Sequence, residues 1–294
     1  MGLDIYKTDK CLYQKKNGIE YYSITHLQEV QKEMLHLLSI VNQICVDNNI
    51  QYWIDGGTLI GAVRHQGFIP WDDDIDIVMP RPDYEKFLAY MQENQEKIKP
   101  LKLYSFENNA KYPYMISRVS DERYILDVEN EDDYGIGIFI DVYPWDGVGQ
   151  TEEEVAERKG KAARNSSLFY LSTRQKCVKG NTKSIKKLLI KPAAFVVAKL
   201  LGKNYFEKKL SKMATKYKYD ESRYVGCLVW GIDGVRGIYP IEWMEPYTKL
   251  QFEDAQFRVP KEWEKALSKL FRNYMELPPK KDRVPHHGYR AFER

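Results

Sequence analysis

Between Asp72 and Met79 a run of acids gives way to alternation: Asp74, Ile75, Asp76, Ile77. On a strand, Asp74 and Asp76 project to one face while Ile75 and Ile77 face the other. Two carboxylates side by side repel each other, so the pair is costly unless a cation sits between them. Oxygen-rich pairs of this kind suit Mg²⁺ or Mn²⁺ held together with substrate phosphates. A calcium loop is a poor match, because the run continues Ile77-Val78-Met79 where that motif needs a glycine turn. Upstream, Gly56-Gly57-Thr58 separates a strand-like stretch from a helical one. Glycines let backbone approach a ligand closely, and a helix N-terminus offers free N–H groups to an anion. Placed before the acidic strand, this turn reads as a phosphate clamp facing a metal site, with Arg64 and His65 as nearby positive charge. Asp141 stands inside the apolar stretch Gly137–Tyr143, where a charge is costly without a partner, and is the candidate third carboxylate. Asp146, in the following turn, is a weaker candidate. The plain alternative for Asp72–Asp76 is a solvated acidic turn.

The elements that must position these groups follow from spacing. Thr25 and Gln28 form a capping box opening a helix to about Asp47, with Leu27, Val30, Met34, Leu37, Leu38, Val41 and Ile44 on one face. Gln51–Ile54 has strand composition, Thr58–His65 reads as a short helix, Asp74–Met79 as a strand, and Asp83 as the cap of a helix to about Gln92. Strands recur near 101–106, 113–119, 123–128 and 136–143. Residues 151–219 read as mainly helical. The chain closes with a hairpin at about 247–259 turning at Glu253-Asp254, a helix from Lys261 to Met275, and a proline-broken tail. The order predicts an α+β fold around a mixed sheet. It divides into a catalytic core over 1–150, a helical basic insert over 151–222, and strands and a helix over 223–294 that complete the core.

With 294 residues, 43% hydrophobic and 30% charged, the chain has the composition of a folded globular protein. No run approaches the roughly 18 apolar residues of a spanning helix, and the N-terminus lacks the apolar stretch of a signal peptide, so a cytoplasmic chain is expected. Cys11, Cys45, Cys177 and Cys227 are scattered, which argues against a zinc site or a disulfide framework. The net charge of +3 hides an asymmetry: residues 174–218 hold fourteen Lys or Arg against Glu207 alone, a local +13 on a remainder of −10. Nucleic-acid binders spread a basic face with interleaved aromatics, so no nucleic-acid partner is expected. From Ser184 to Lys203, Leu189, Ala193, Val196, Val197, Leu200 and Leu201 share one helical face opposite Lys187, Lys191, Lys199 and Lys203, interrupted by Pro192. Such a helix suits an anionic membrane surface, or else a core helix with a solvated lysine face.

The stretch from Gly56 through Ile77 resembles the signature of the LicD family of phosphocholine transferases, which is related to fukutin and fukutin-related protein and has the nucleotidyltransferase fold. Phe139–Gly147 resembles its second block, and residues 247–287 its C-terminal block. The resemblance covers about residues 25–147 and 224–292 and leaves the basic segment least constrained. It implies that Gly56 and Gly57 match the fold's glycine motif, Asp74 and Asp76 its metal pair, and Asp141 its third carboxylate. Gly57 and Asp74 stand 17 positions apart, longer than in the wider superfamily, so nucleotide contacts are not copied from it.

The implied activity is metal-dependent transfer of phosphocholine from CDP-choline to a sugar hydroxyl of a cell-surface glycan or its lipid-linked precursor, of teichoic acid or lipopolysaccharide type, with release of CMP. Thr58 and Arg64 join the glycines as nucleotide contacts. A quaternary ammonium needs aromatic faces, and Trp71 and Trp145 lie beside the two acidic blocks. The tail is expected to fold back, with His287 as the preferred contact and His286 in reserve. The expected setting is the cytosolic side of a bacterial plasma membrane, with peripheral contact through residues 184–203. Alternatives are another CDP-linked head group (ethanolamine, ribitol or glycerol phosphate), a metal-dependent glycosyltransferase, and a regulatory module with an inactive site.

Overall fold

The computed structural model describes residues 14–16, 19–24, 26–178, 185–230, 234–285, 287 and 289–293. Strands β1 (Gln14–Lys16) and β2 (Ile19–Ser23) precede α1 (Leu27–Asp47), which buries the Val30, Met34, Leu37, Leu38, Val41 and Ile44 face that its spacing marks. Thr25, half of the expected capping box, lies outside the described residues. After β3 (Trp53–Ile54), α2 (Gly56–His65) starts two residues earlier than expected, so Gly56 and Gly57 form its first turn. Strand β4 (Asp76–Pro80) starts two residues later than the alternation suggests. Its ladders begin there, with Ile77 opposite Ile54 and Asp76 opposite Asp141, and they leave Asp74 in the turn before the strand. Helix α3 (Arg81–Glu93) tolerates proline in its first turn. Asp83 does not cap it; its carboxylate instead accepts the Gln51 N–H at 2.8 Å.

Strands β5 (Leu101–Tyr104), β6 (Ser117–Asp121), β7 (Tyr124–Val128) and the long β8 (Ile138–Gly149) complete the first half. The basic region folds as α4 (Glu152–Thr173), α5 (Ile185–Leu201) and α6 (Lys203–Ala214). Thr151 caps α4 by accepting the Glu154 N–H. Then come β9 (Tyr224–Gly226), β10 (Ile238–Pro240), the hairpin β11 (Thr248–Phe252) and β12 (Ala255–Val259), α7 (Trp263–Phe271) and β13 (Tyr289–Glu293). Helix α7 is shorter than expected at both ends, and Arg272, with φ +58°, stops it.

The architecture is α+β. The main sheet runs β10-β9-β8-β4-β3, with β6 on β8 and β5 on β6, and the only parallel pairing among these strands is β4 with β8. Strand β8 is the axis, because its twelve residues are long enough to hold β6 and β4 along its first part and β9 along its end. Alternation sorts its side chains. Ile138, Ile140 and Val142 join Ile77 and Met79 in the core beneath α1. Asp141, Tyr143 and Trp145, with Asp76 and Val78 of β4, face the other way, into a cavity. A second sheet, β1-β2-β13-β7, ties the C-terminal strand between two early ones. No helix of the described residues is long and apolar enough to cross a membrane.

Candidate active site

The cavity measures about 420 Å³, and its acidic wall is formed by Asp55, Asp74, Asp76 and Asp141 with Gly56, Gly57 and His287. Three strands build the centre of that wall. Asp76 on β4 pairs with Asp141 on β8, and Asp141 pairs with Arg118 on β6, so the three residues stand in one row across the sheet. Arg118 Nε donates to Asp141 Oδ1 at 2.6 Å and Nη1 donates to Tyr134 Oη at 2.9 Å. The guanidinium lies between the rings of Tyr114 and Phe139, 4.1 and 3.9 Å from their centroids. Asp141 therefore has the partner that a charge in an apolar strand requires.

Asp76 differs. Its Oδ1 is buried and accepts no hydrogen bond from the described residues, and burial, followed by the charges of Asp74 and Asp141, holds its carboxyl well above the usual range. A buried acceptor beside other carboxylates is what a bound cation satisfies. The backbone fixes this carboxylate from two sides: the Asp76 N–H donates to Thr58 Oγ1 at 2.9 Å, and the Asp55 N–H to the Asp76 carbonyl at 3.1 Å. Thr58 is thus engaged with the acidic strand and does not line the cavity.

The two glycines earn their place by proximity. Gly56 has φ +57°, and a Cβ there would stand 3.0 Å from Asp76 Oδ2; one on Gly57 would stand 2.8 Å from Asp72 Oδ2. A side chain at Gly57 would make the Asp72 carboxylate shift, and one at Gly56 would crowd Asp76 and strain a backbone at positive φ.

The acidic turn that precedes β4 is pinned from behind. Buried Gln31 on α1 donates Nε2 to the carbonyls of Asp72, at 2.8 Å, and Ile69, at 3.3 Å. Asp73 is buried and receives the tail: the His287 N–H donates to its Oδ2 at 2.9 Å, and His287 Nδ1 lies 3.1 Å from Oδ1. His287 Nδ1 is also 3.9 Å from Asp74 Oδ2, and ligand atoms of Asp73, Asp74 and His287 lie within 4.8 Å of one another, a geometry able to hold a metal ion. Burial lowers the His287 pKa, but the Asp73 hydrogen bond and the charges of Asp74, Asp73 and Asp141 raise it further, to about 9. Burial and the neighbouring Asp74 push Asp72 up to about 8, and burial is also the main cause of the rise at Asp74.

The rest of the lining is largely aromatic, with Lys159 as a further basic group. Tyr143 follows Asp141 on the same face, and burial with the charges of Asp76 and Asp141 keeps its hydroxyl protonated. Trp145 lines the cavity and stacks on Tyr239, with centroids 5.4 Å apart and planes 19° apart. Tyr114, Tyr170 and Trp230 line the other end. Lys159 reaches in from α4, buried, its Nζ donating to the carbonyls of Cys227 at 2.6 Å and Trp230 at 3.1 Å.

Two residues singled out in the sequence stand elsewhere. Arg64 Nη1 donates to the carbonyls of Tyr274, at 2.8 Å, and Glu276, at 3.2 Å, and so holds the segment after α7. Trp71 packs edge-on to His65 and beneath Arg283, whose guanidinium is 5.5 Å from its ring centroid. Neither lines the cavity. Asp146, the weaker third carboxylate, pairs with Arg81 at 2.7 Å. His286 lies outside the described residues. Sequence reasoning passed over Asp55, Gln31, Arg118 and Lys159. A buried glutamine at an apolar helical position was the one local signal among them; the others are placed by long-range pairing.

Comparison with known proteins supplies the relatives. A family profile described as LicD/FKTN/FKRP, nucleotidyltransferase domain, matches residues 49–178, which include both acidic strands. The lipopolysaccharide cholinephosphotransferase LicD of Haemophilus influenzae is 30% identical over 274 residues, 90% of this chain and 97% of that protein. An uncharacterized protein of Rickettsia typhi is 40% identical over 74 residues, 24% of each chain. The ribitol 5-phosphate transferase FKRP of mouse is 54% identical over 28 residues, 10% of this chain and 6% of that one. With an end-to-end relative and the family's domain laid over its acidic cavity, the chain belongs to the LicD family of transferases.

Proposed function

We propose that this protein transfers phosphocholine from CDP-choline to a sugar hydroxyl of a lipopolysaccharide-type glycan or its lipid-linked precursor. The observation that carries this reading is the row Asp76–Asp141–Arg118 beside the Gly56-Gly57 turn, with a buried Asp76 oxygen that has no hydrogen-bond partner among the described residues. The head group and the acceptor class follow the name of the Haemophilus influenzae relative, a lipopolysaccharide cholinephosphotransferase similar along nearly its whole length, and the CDP-linked donor follows the family resemblance.

In this reading the acceptor hydroxyl attacks the choline-bearing phosphorus and gives up its proton to a carboxylate of the acidic wall. The bond from that phosphorus to the bridging oxygen breaks, CMP leaves, and a phosphodiester remains on the glycan. Phosphoryl transfer of this kind depends on positioning and on neutralising charge. Asp74 and Asp76 would hold Mg²⁺ or Mn²⁺, which when bound neutralises the donor's diphosphate. Asp73 supports the charged form of His287, so the imidazole serves as a counter-charge next to the acidic turn. Asp141, held on Oδ1 by Arg118, would serve as a third ligand or take the acceptor's proton. Gly56 and Gly57 bring the start of α2 against the donor phosphates. Lys159 supplies positive charge to the cavity. Trp145, stacked on Tyr239, offers the aromatic surface that a quaternary ammonium needs. Residues 1–150 and 223–294 carry these groups apart from Lys159, which the basic insert over 151–222 contributes.

The head group is tested by thermal shift with Mg²⁺ and, in turn, CDP-choline, CDP-ethanolamine, CDP-ribitol and CDP-glycerol. CDP-choline is expected to stabilise most. A larger shift with CDP-ribitol would move this protein toward the FKRP-like activity, and a response only to UDP-sugars would indicate a glycosyltransferase.

A further inference from the structure

Helix α5 is turned the opposite way from a helix on a water-facing surface. Among its described side chains, Ile190 is 64% exposed, Val196 56% and Leu200 82%, with Val197 and Leu201 also exposed, and Ala198 is buried. Lys199 Nζ donates to the Ser172 carbonyl at 2.9 Å, and Lys203, just beyond its end, donates to the carbonyls of Ala110 and Tyr112. The core-helix alternative from the sequence is therefore not how this helix packs. Helices α4 and α6 lie beside it, and neither covers the outward face. Tyr205 on α6 extends the apolar patch, and Lys208, Lys209 and Lys212 on the same helix are exposed around it.

We propose that this face is a membrane-docking surface that inserts shallowly into an anionic bilayer. Exposed contiguous apolar surface rimmed by charge marks an interaction site. What selects a bilayer is the charge around the patch, a local +13 in residues 174–218 on a remainder of −10. Anionic headgroups attract such a segment while the apolar side chains enter the acyl boundary, and long lysine side chains reach back to the headgroups. A second copy docked face to face would set one +13 segment against another.

The test is co-sedimentation of the full chain with vesicles of phosphatidylcholine alone and with added phosphatidylglycerol. Binding is expected with the anionic vesicles only, weakening as salt rises. Val196→Ser with Leu200→Ser, and separately Lys208→Glu with Lys212→Glu, should each lower it by about tenfold. These side chains are exposed, so circular dichroism and thermal midpoint should match the parent protein. Equal pelleting with neutral vesicles, or none with either, would overturn the proposal. So would a dimer in solution that the serine variant dissolves while vesicle binding stays absent.

Discussion

Asp76 and Asp141 face one another across the parallel pairing of β4 with β8, yet their carboxylates differ in kind. Asp141 receives an arginine bond at 2.6 Å, whereas Asp76 keeps a buried oxygen without one. The fold supplies a counter-charge to one carboxylate, and burial beside other acids disfavours the charged form of the other.

Asp76→Asn is therefore expected to separate activity from stability. Turnover should fall roughly 10³-fold or more, the scale of a lost metal-held charge. The thermal midpoint in EDTA should hold or rise, since one repelling carboxylate is gone. Calorimetry with and without Mg²⁺ checks both, and the parent protein's Mg²⁺-induced rise in midpoint should vanish in the variant.

The raised carboxyl at Asp72 gives a pH dependence. Asp72 moves from 3.8 to about 8, so between those values the folded chain holds a proton that the unfolded chain has released. Stability then falls as pH rises through that window. His287, raised from 6.5 to about 9, acts in the same direction: its contribution is full below pH 6.5 and is lost as pH rises through 9. In EDTA, the difference in midpoint between Asp72→Asn and the parent should be smallest near pH 4 and grow toward pH 8. A difference that is flat with pH would contradict the assigned shift.

Much of this site was legible in the sequence, for a physical reason. Asp74, Asp76, Gly56 and Gly57 are close along the chain, so their chemistry shows as spacing. Arg118 and Asp141 are 23 positions apart, and antiparallel pairing of β6 with β8 makes them partners. No periodicity reveals that register. His287 and Asp73 are 214 positions apart and meet because β13 pairs with β7 and β2, in a tail whose prolines and polar residues suggest no strand. The strand start at Asp76 was misjudged because alternation reports side-chain type, and the ladder that ends a strand depends on its neighbours. Arg64 was misjudged because a cation beside a glycine turn resembles a phosphate ligand, and only the fold shows it holding two carbonyls after α7.

Arg118 tests the structural half of the row. Arg118→Met leaves Asp141 buried without a partner and is expected to cost about 3–5 kcal/mol in chemical denaturation. The double variant Arg118→Met with Asp141→Leu removes both charges and should recover much of that loss. Equal stability of the single variant and the parent would mean that the pair contributes little.

Lys159 joins the insert to the cavity. Lys159→Met should raise the Michaelis constant for the CDP donor about tenfold or more, the worth of one charge-assisted contact. Lys159→Arg should recover part of it. A wild-type Michaelis constant in the methionine variant would remove Lys159 from the donor site.

Phosphocholine transfer at the Asp74–Asp76 site is tested most directly by release of CMP from CDP-choline with a lipopolysaccharide-type acceptor present. The expected result is acceptor-dependent CMP release together with a phosphodiester ³¹P signal on the glycan, both abolished by EDTA and by Asp76→Asn. Full turnover in EDTA or in Asp76→Asn, or product formation from UDP-sugars with none from any CDP donor, would contradict it.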